Sequence, residues 1–140
     1  IFNTYGPRMS PNDGRVISNF ISQAIENKPL TIYGDGSQTR SFCFVDDLIE
    51  GIYKLMYSNL KGPVNIGNPK SITIDELSKI IIRMFDKNIN VDFKPLPSDD
   101  PLQRCPDISL AKKELGWEPK ISFEKGLEAT INYINESLNK

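Results

Sequence analysis

Apolar positions along the chain switch between two periods. Val16, Ile17, Phe20, Ile21, Ala24 and Ile25 fall on one face of a helix, and Pro29 stops that run. Val45, Leu48, Ile49, Ile52, Leu55 and Met56 repeat the i, i+3, i+4, i+7 spacing of a second amphipathic helix. Thr73 with Glu76 three residues on reads as a capping box for a third, whose core face is Leu77, Ile80, Ile81, Met84 and Phe85. Ser109 to Leu115 predicts a short helix ended by Gly116, and Phe123, Leu127, Ile131, Ile134 and Leu138 line a final one. Between them lie β-like stretches. Ile1 to Asn3 reads as the end of a buried strand broken by Tyr5-Gly6-Pro7. Leu30 to Tyr33 and Arg40 to Val45 predict two short strands around the turn Gly34-Asp35-Gly36. Pro63 to Ile66 and Val91 to Phe93 read as further strands, and Ser98 to Pro106 as a proline-rich irregular segment. Alternating helices and strands predict an α/β organisation, with too few sheet pieces for a complete doubly wound domain.

Composition narrows the function. The 140 residues carry a net charge of −1, so no overall field recruits nucleic acid or an acidic membrane. An anionic ligand must be held by placed arginines, and there are five: Arg8, Arg15, Arg40, Arg83 and Arg104. Without histidine, and with Cys43 and Cys105 far apart, no metal site is expected. The two cysteines suit a reduced intracellular chain, and no apolar run reaches the ~20 residues of a membrane span. The chain opens Ile1-Phe2-Asn3 without methionine, which reads as the start of a fragment.

Leu30 to Arg40 is the segment richest in chemistry. Tyr33 sets a flat aromatic in a backbone-rich turn, suited to a nucleobase, and Arg40 follows with a fork that matches two diphosphate oxygens. The same residues fit a glycine-turn hairpin with a core tyrosine and a solvated arginine. Asn3, at the carboxyl end of a strand, can donate to phosphate or satisfy loop backbone. Arg15 and Val16 open a helix whose free amides would suit an anion, or Arg15 is simply a surface residue. Asp99-Asp100 reads as solvated loop charge and Asp46-Asp47 as an acidic first turn.

Together, Asn3-Thr4-Tyr5-Gly6-Pro7-Arg8-Met9, Asp13-Gly14-Arg15-Val16, Pro29 through Arg40, Val45-Asp46-Asp47-Leu48, Pro63 through Pro69, Asp99-Asp100-Pro101, Arg104 through Ile108 and Leu115 through Pro119 resemble the extended short-chain dehydrogenase/reductase superfamily. Within it they resemble the branch that decarboxylates UDP-glucuronate to UDP-xylose. The resemblance covers essentially the whole chain. It implies a fold class: the carboxy-terminal part of an NAD(P)-binding Rossmann-fold protein, with the small substrate-binding subdomain. Residues 1–140 would be the nucleotide-sugar-binding region, with the amino-terminal NAD-binding half absent. It assigns Thr31, Ile32 and Tyr33 to the base, Asn3 and Arg40 to the diphosphate, Thr4 and Arg15 to the neighbourhood of the NAD cofactor, and Arg104 to catalysis at the sugar. Arg15 and Val16 are also implied near the sugar nucleotide, and Asn65 as a substrate contact.

The implied reaction oxidises the sugar at C4 with NAD⁺. Carbon dioxide then leaves from the position β to the new keto group, and hydride returns. The family's glycine-rich loop and Tyr-x-x-x-Lys pair, which supply the cofactor cradle and the base, have no counterpart here: Tyr53 is followed by Lys54, and position 57 is tyrosine. Ser98 stands where a bacterial relative has a substrate-contacting tyrosine. The resemblance further implies a homodimer in the full-length protein and a cytoplasmic or, with an upstream anchor, Golgi-lumenal location. Sister reactions, a dTDP-glucose 4,6-dehydratase or a UDP-sugar 4-epimerase, share many of these motifs. A non-catalytic nucleotide-sugar-binding fragment is the reading from outside the enzymes.

Overall fold

A computed structural model describes residues 1–98 and 101–138. Strands and helices alternate in a Rossmann-like α/β organisation, as the hydrophobic pattern predicts. In chain order they are β1 (Thr4–Tyr5), α1 (Val16–Ile25), β2 (Leu30–Tyr33), β3 (Thr39–Ser41), β4 (Cys43–Phe44), α2 (Val45–Met56), β5 (Ser71–Thr73), α3 (Ile74–Phe85), β6 (Val91–Lys94), β7 (Gln103–Arg104), α4 (Ser109–Leu115) and α5 (Phe123–Leu138). Among the described residues no helix is long and apolar enough to cross a membrane.

The helices follow the sequence closely, because each has a local stop or start signal. Thr73 Oγ1 accepts from Glu76 N at 3.0 Å while Glu76 Oε2 accepts from Thr73 N at 2.8 Å, so the capping box forms. Asp46 and Asp47 occupy the first turn of α2, and Gly116 ends α4 in the left-handed conformation. α1 stops at Ile25, before Pro29, because Asn27 turns left-handed and the chain closes back on Gln23 and Ala24.

The strands differ from expectation in their pairing. β2 and β3 do not form a hairpin. β2 pairs in parallel with β6, Leu30 to Tyr33 against Val91 to Lys94. β3 sits at the centre of a separate sheet, antiparallel to β5 and parallel to β7. Gly34 and Gly36, both at positive φ, let the chain pass from one sheet to the other instead of doubling back. The predicted strand from Arg40 to Val45 splits at Phe42, and β4 pairs in parallel with β1. Pro63 to Ile66 is irregular: Pro63 has no N–H to give a ladder, and the segment is tethered instead through the Asn65 side chain, whose Nδ2 donates to Asp107 O at 3.1 Å. Conversely, the proline-rich stretch contains β7, held by β3. The Asp99-Asp100 pair lies outside the described residues.

Two apolar clusters hold these pieces. The larger joins α1, α3 and α5 over β2, with Phe20, Ile21, Leu30, Ile32, Leu77, Ile81, Leu127 and Ile134 all but fully buried. The smaller surrounds Trp117, whose Nε1 donates to Asp47 O at 2.9 Å beneath α2 and α4. Asp47 also accepts from Ile121 N at 2.9 Å, so one buried carboxylate ties the lead-in of α5 to the start of α2.

Candidate functional site

A cleft of about 270 Å³ opens where the ends of β1, β2 and β3 meet the start of α1. Strand alternation decides which side chains reach it. On β2, Thr31 and Tyr33 face the cleft, while Leu30 and Ile32 are fully buried in the core. Entering and leaving β3, Gln38, Arg40 and Phe42 share the cleft side. Thr4 of β1 and Asn3 just before it border the cleft on one side, and Val16 of α1 with its N-cap residue Arg15 on another. Residues 1–3, expected to end a strand, form none, and β1 begins at Thr4.

Seven of the sequence-predicted positions therefore converge: Asn3, Thr4, Arg15, Val16, Thr31, Tyr33 and Arg40. Three do not line this space. Ile32 is a core residue, 0% exposed. Asn65 is an exposed residue bonded to Asp107 O. Arg104 is exposed on β7, although it stands directly in register with Arg40 on the neighbouring strand, which puts the two residues on one face of the sheet. Met9, Gln38, Phe42 and Ile74 also line it without having been singled out, and Tyr5, Gly14 and Ile17 complete the wall. The i, i+2 parity with Arg40 was the available signal for Gln38 and Phe42; Met9 and Ile74 arrive by tertiary packing and carried none.

The polar groups of the cleft are already organised. Arg15 Nε donates to Asp13 Oδ2 at 2.7 Å, and its Nη1 donates to Thr4 O at 3.0 Å, so the guanidinium bridges the loop before α1 to the end of β1. Asp13 Oδ1 accepts from Arg15 N at 3.0 Å and from the Ser18 hydroxyl, placing a carboxylate at the helix start where an external anion was a candidate. Burial pushes the Asp13 carboxyl up, but the bonds from Ser18 and Arg15, with the guanidinium charge, outweigh it and hold the group below its ordinary range. Asn3 Nδ2 donates to Ser41 O at 2.9 Å, the backbone-satisfying alternative of the two that the sequence left open.

Among the described residues no strand pairs with the outer edge of β2, and two glutamines bond to it there. Gln23 Oε1 accepts from Thr31 N at 3.1 Å, and Gln38 Nε2 donates to Tyr33 O at 2.6 Å. Tyr33 stays 46% exposed. The Arg40 side chain is nearly buried, with Nη1 donating to Thr39 O at 2.8 Å. An exposed aromatic face, a hydroxyl and two guanidinium groups at one cleft suit an anionic ligand with a flat aromatic group.

The sequence profile of the GDP-mannose 4,6-dehydratase family matches residues 1–130. The chain belongs to that family. It is thereby a member of the extended short-chain dehydrogenase/reductase superfamily, as the motifs implied. It is 56% identical over 131 residues to UDP-glucuronic acid decarboxylase 2 of Arabidopsis thaliana, covering 94% of this chain and 29% of that protein. It is 50% identical over 138 residues to UDP-glucuronic acid decarboxylase 1 of Danio rerio, covering 99% and 33%. The chain thus spans about a third of the length of these relatives. Among solved structures, UDP-glucuronic acid 4-epimerase from Bacillus cereus, in complex with UDP-glucuronic acid and NAD, superposes with a TM-score of 0.89 at 33% identity, covering 97% of this chain and 44% of that one. UDP-glucose 4-epimerase from Thermotoga maritima, with UDP-glucose, gives a TM-score of 0.93 at 30% identity, covering 98% and 45%.

Proposed function

We propose that residues 1–140 form the carboxy-terminal, nucleotide-sugar-binding region of an NAD-dependent UDP-glucuronate decarboxylase. The observation that carries this is the convergence of Thr31, Tyr33 and Arg40 with Asn3 and Arg15 in one cleft, from stretches that are separate in the sequence. Identities of 50–56% to proteins named as UDP-glucuronic acid decarboxylases support the reaction assigned.

In this reading Tyr33 lies under the uracil ring, and Thr31 contacts the nucleotide beside it. Arg40 holds the diphosphate, because the planar fork of a guanidinium matches two phosphate oxygens, and its Nη1 bond to Thr39 O fixes where that fork sits. Arg104, one strand over, balances the negative charge at the carboxylate end of the sugar. Asn3 keeps Ser41 as its partner and contributes by shaping the diphosphate end of the cleft.

NAD bound by the full-length protein supplies reversible hydride transfer. The described residues fit only the border of such a cofactor: no glycine-rich turn leads from a strand into a helix, so nothing here cradles its phosphates. Thr4 and Arg15 would border it, with Arg15 fixed by Thr4 O and Asp13. Without the tyrosine–lysine pair of the family, the isolated 140 residues are expected to show no turnover.

The test supplies UDP-glucuronate and NAD⁺ to the full-length protein. UDP-xylose and carbon dioxide in equal amounts are expected. Inversion at C4 with no carbon dioxide would instead establish the second reading, a UDP-sugar 4-epimerase, which the close superposition on two 4-epimerases favours. The homodimer implied by the resemblance would form outside these residues, and sedimentation of the full-length protein checks it.

A further inference from the structure

Gln23 on α1 makes two bonds to a single residue of β2. Its Oε1 accepts from Thr31 N at 3.1 Å, and its Nε2 donates to Thr31 Oγ1 at 3.1 Å. The amide orientation follows from chemistry. A backbone N–H can only donate, so the atom facing it is the amide oxygen, and the NH₂ group must face the hydroxyl. With one lone pair of Oγ1 occupied by that NH₂, the hydroxyl proton has to point elsewhere. Thr31 lines the cleft, and among the described residues its hydroxyl donates to no protein acceptor.

We propose that Gln23 is a positioning residue that turns the Thr31 hydroxyl into a dedicated hydrogen-bond donor at the cleft, so that the ligand group opposite it is an acceptor oxygen rather than an amino group. The inference rests on the nucleotide-sugar reading of the cleft and deepens it by assigning the polarity of one contact. Two parts of a uridine nucleotide offer such an oxygen: a carbonyl of the base and the phosphates. The glutamine lies along the edge of the strand and does not line the cleft, so its effect on binding must pass through Thr31.

The experiment measures binding of UDP to the full-length protein by calorimetry, with thermal melting recorded for every variant. Thr31→Val removes the donor and is expected to weaken binding about three- to tenfold, the range of one hydrogen bond. Thr31→Ser keeps it and should bind within about twofold of the parent. Gln23→Glu keeps the acceptor for Thr31 N but replaces the NH₂ with a second acceptor, which draws the hydroxyl proton back from the cleft. It should weaken binding about as much as Thr31→Val, and the double variant should be no weaker than Thr31→Val alone. A merely structural or long-range charge effect of residue 23 would instead add to the loss. Gln23→Met, which releases the hydroxyl without adding charge, gives a second cycle with the same expected non-additivity. Uridine in place of UDP locates the acceptor: a Thr31→Val penalty that persists marks the nucleoside, and one that vanishes marks a phosphate. UDP binding unchanged by Thr31→Val or by both Gln23 variants, or additive losses, would overturn the proposal while leaving the site assignment standing. A parent protein that binds UDP but forms no UDP-xylose would remove only the decarboxylase reading, and one that binds no UDP would remove both.

Discussion

Gly51→Ala sets two effects of opposite sign against each other in the middle of α2. Helix propensity alone favours alanine by about 0.8–1.0 kcal/mol. A β-carbon built at Gly51, however, falls 2.6 Å from Ile66 Cγ2 and 2.9 Å from Cε2 of Trp117. Neither neighbour can swing aside. Ile66 and Trp117 are 2% and 1% exposed, and the indole is anchored to Asp47 O. Overpacking a filled core costs roughly 1–3 kcal/mol, and two immobile obstacles put this site in the upper part of that range. A net destabilisation of about 1–2 kcal/mol follows once propensity is subtracted. Urea unfolding of the full-length protein followed by circular dichroism should show a lower midpoint with an unchanged slope. A second variant separates packing from backbone effects. Ile66→Ala opens a cavity at a cost of about 2–5 kcal/mol; adding Gly51→Ala places a methyl group in that space, so the pair should cost less than the sum of the singles. A midpoint that rises with Gly51→Ala, as propensity by itself dictates, would refute the reasoning.

The other predictions draw on separate parts of the molecule. Thr73→Ala removes the side-chain acceptor for Glu76 N and should cost about 1 kcal/mol in the same unfolding assay; no loss would mean the box is redundant. Tyr33→Ala should weaken UDP binding about tenfold if the exposed ring stacks on the base, and calorimetry showing parent-like affinity would count against that placement. Burial, with the charge of Asp47 beside it, pushes the Cys43 thiol from its ordinary 9.0 up to about 12. The native thiol then keeps its proton while the unfolded one ionises, so stability present below pH 9 is lost as pH rises toward about 12. The slope is about 1.4 kcal/mol per pH unit for the one proton. Cys43→Ala should remove that component from the alkaline arm of the stability curve, and an unchanged arm would exclude it. Exposed Cys105 should react with a thiol reagent in the native protein, whereas buried Cys43 should react only on unfolding.

The helices were legible because their signals are local. A capping box, an acidic first turn, a left-handed glycine and an apolar face all lie within the segment they specify, and α2, α3, α4 and α5 occupy the positions those signals mark. Strand pairing is a different kind of information. Strands of two to four residues carry an inside–outside pattern but nothing that names a partner. Leu30 meets Val91 across 60 residues of chain because α1 and α3 pack together and bring β2 and β6 side by side. The hairpin expectation failed at that point: the Gly34–Gly36 turn is real, but it joins two sheets instead of closing one. Likewise Gln103 and Arg104 become a strand only because β3 offers them an edge.

The same distinction governs the site. Motif resemblance carried Thr31, Ile32 and Tyr33 as one block, yet a strand can present only alternate residues to one side. Thr31 and Tyr33 face the cleft, and Ile32 belongs to the core. Gln23 escaped notice because it sits on the helical stripe beside Phe20 and Ala24 and bears no motif; its role exists only once α1 lies along the outer edge of β2. A polar residue that completes a strand edge is normally accounted for as structural, since an unpaired N–H there would cost about 1–3 kcal/mol. At Thr31 the second bond of the same side chain also fixes the hydroxyl that faces the cleft. The packing requirement and the binding requirement therefore fall on one amide, and only a substitution that keeps the first bond while reversing the second, as Gln23→Glu does, can pull them apart.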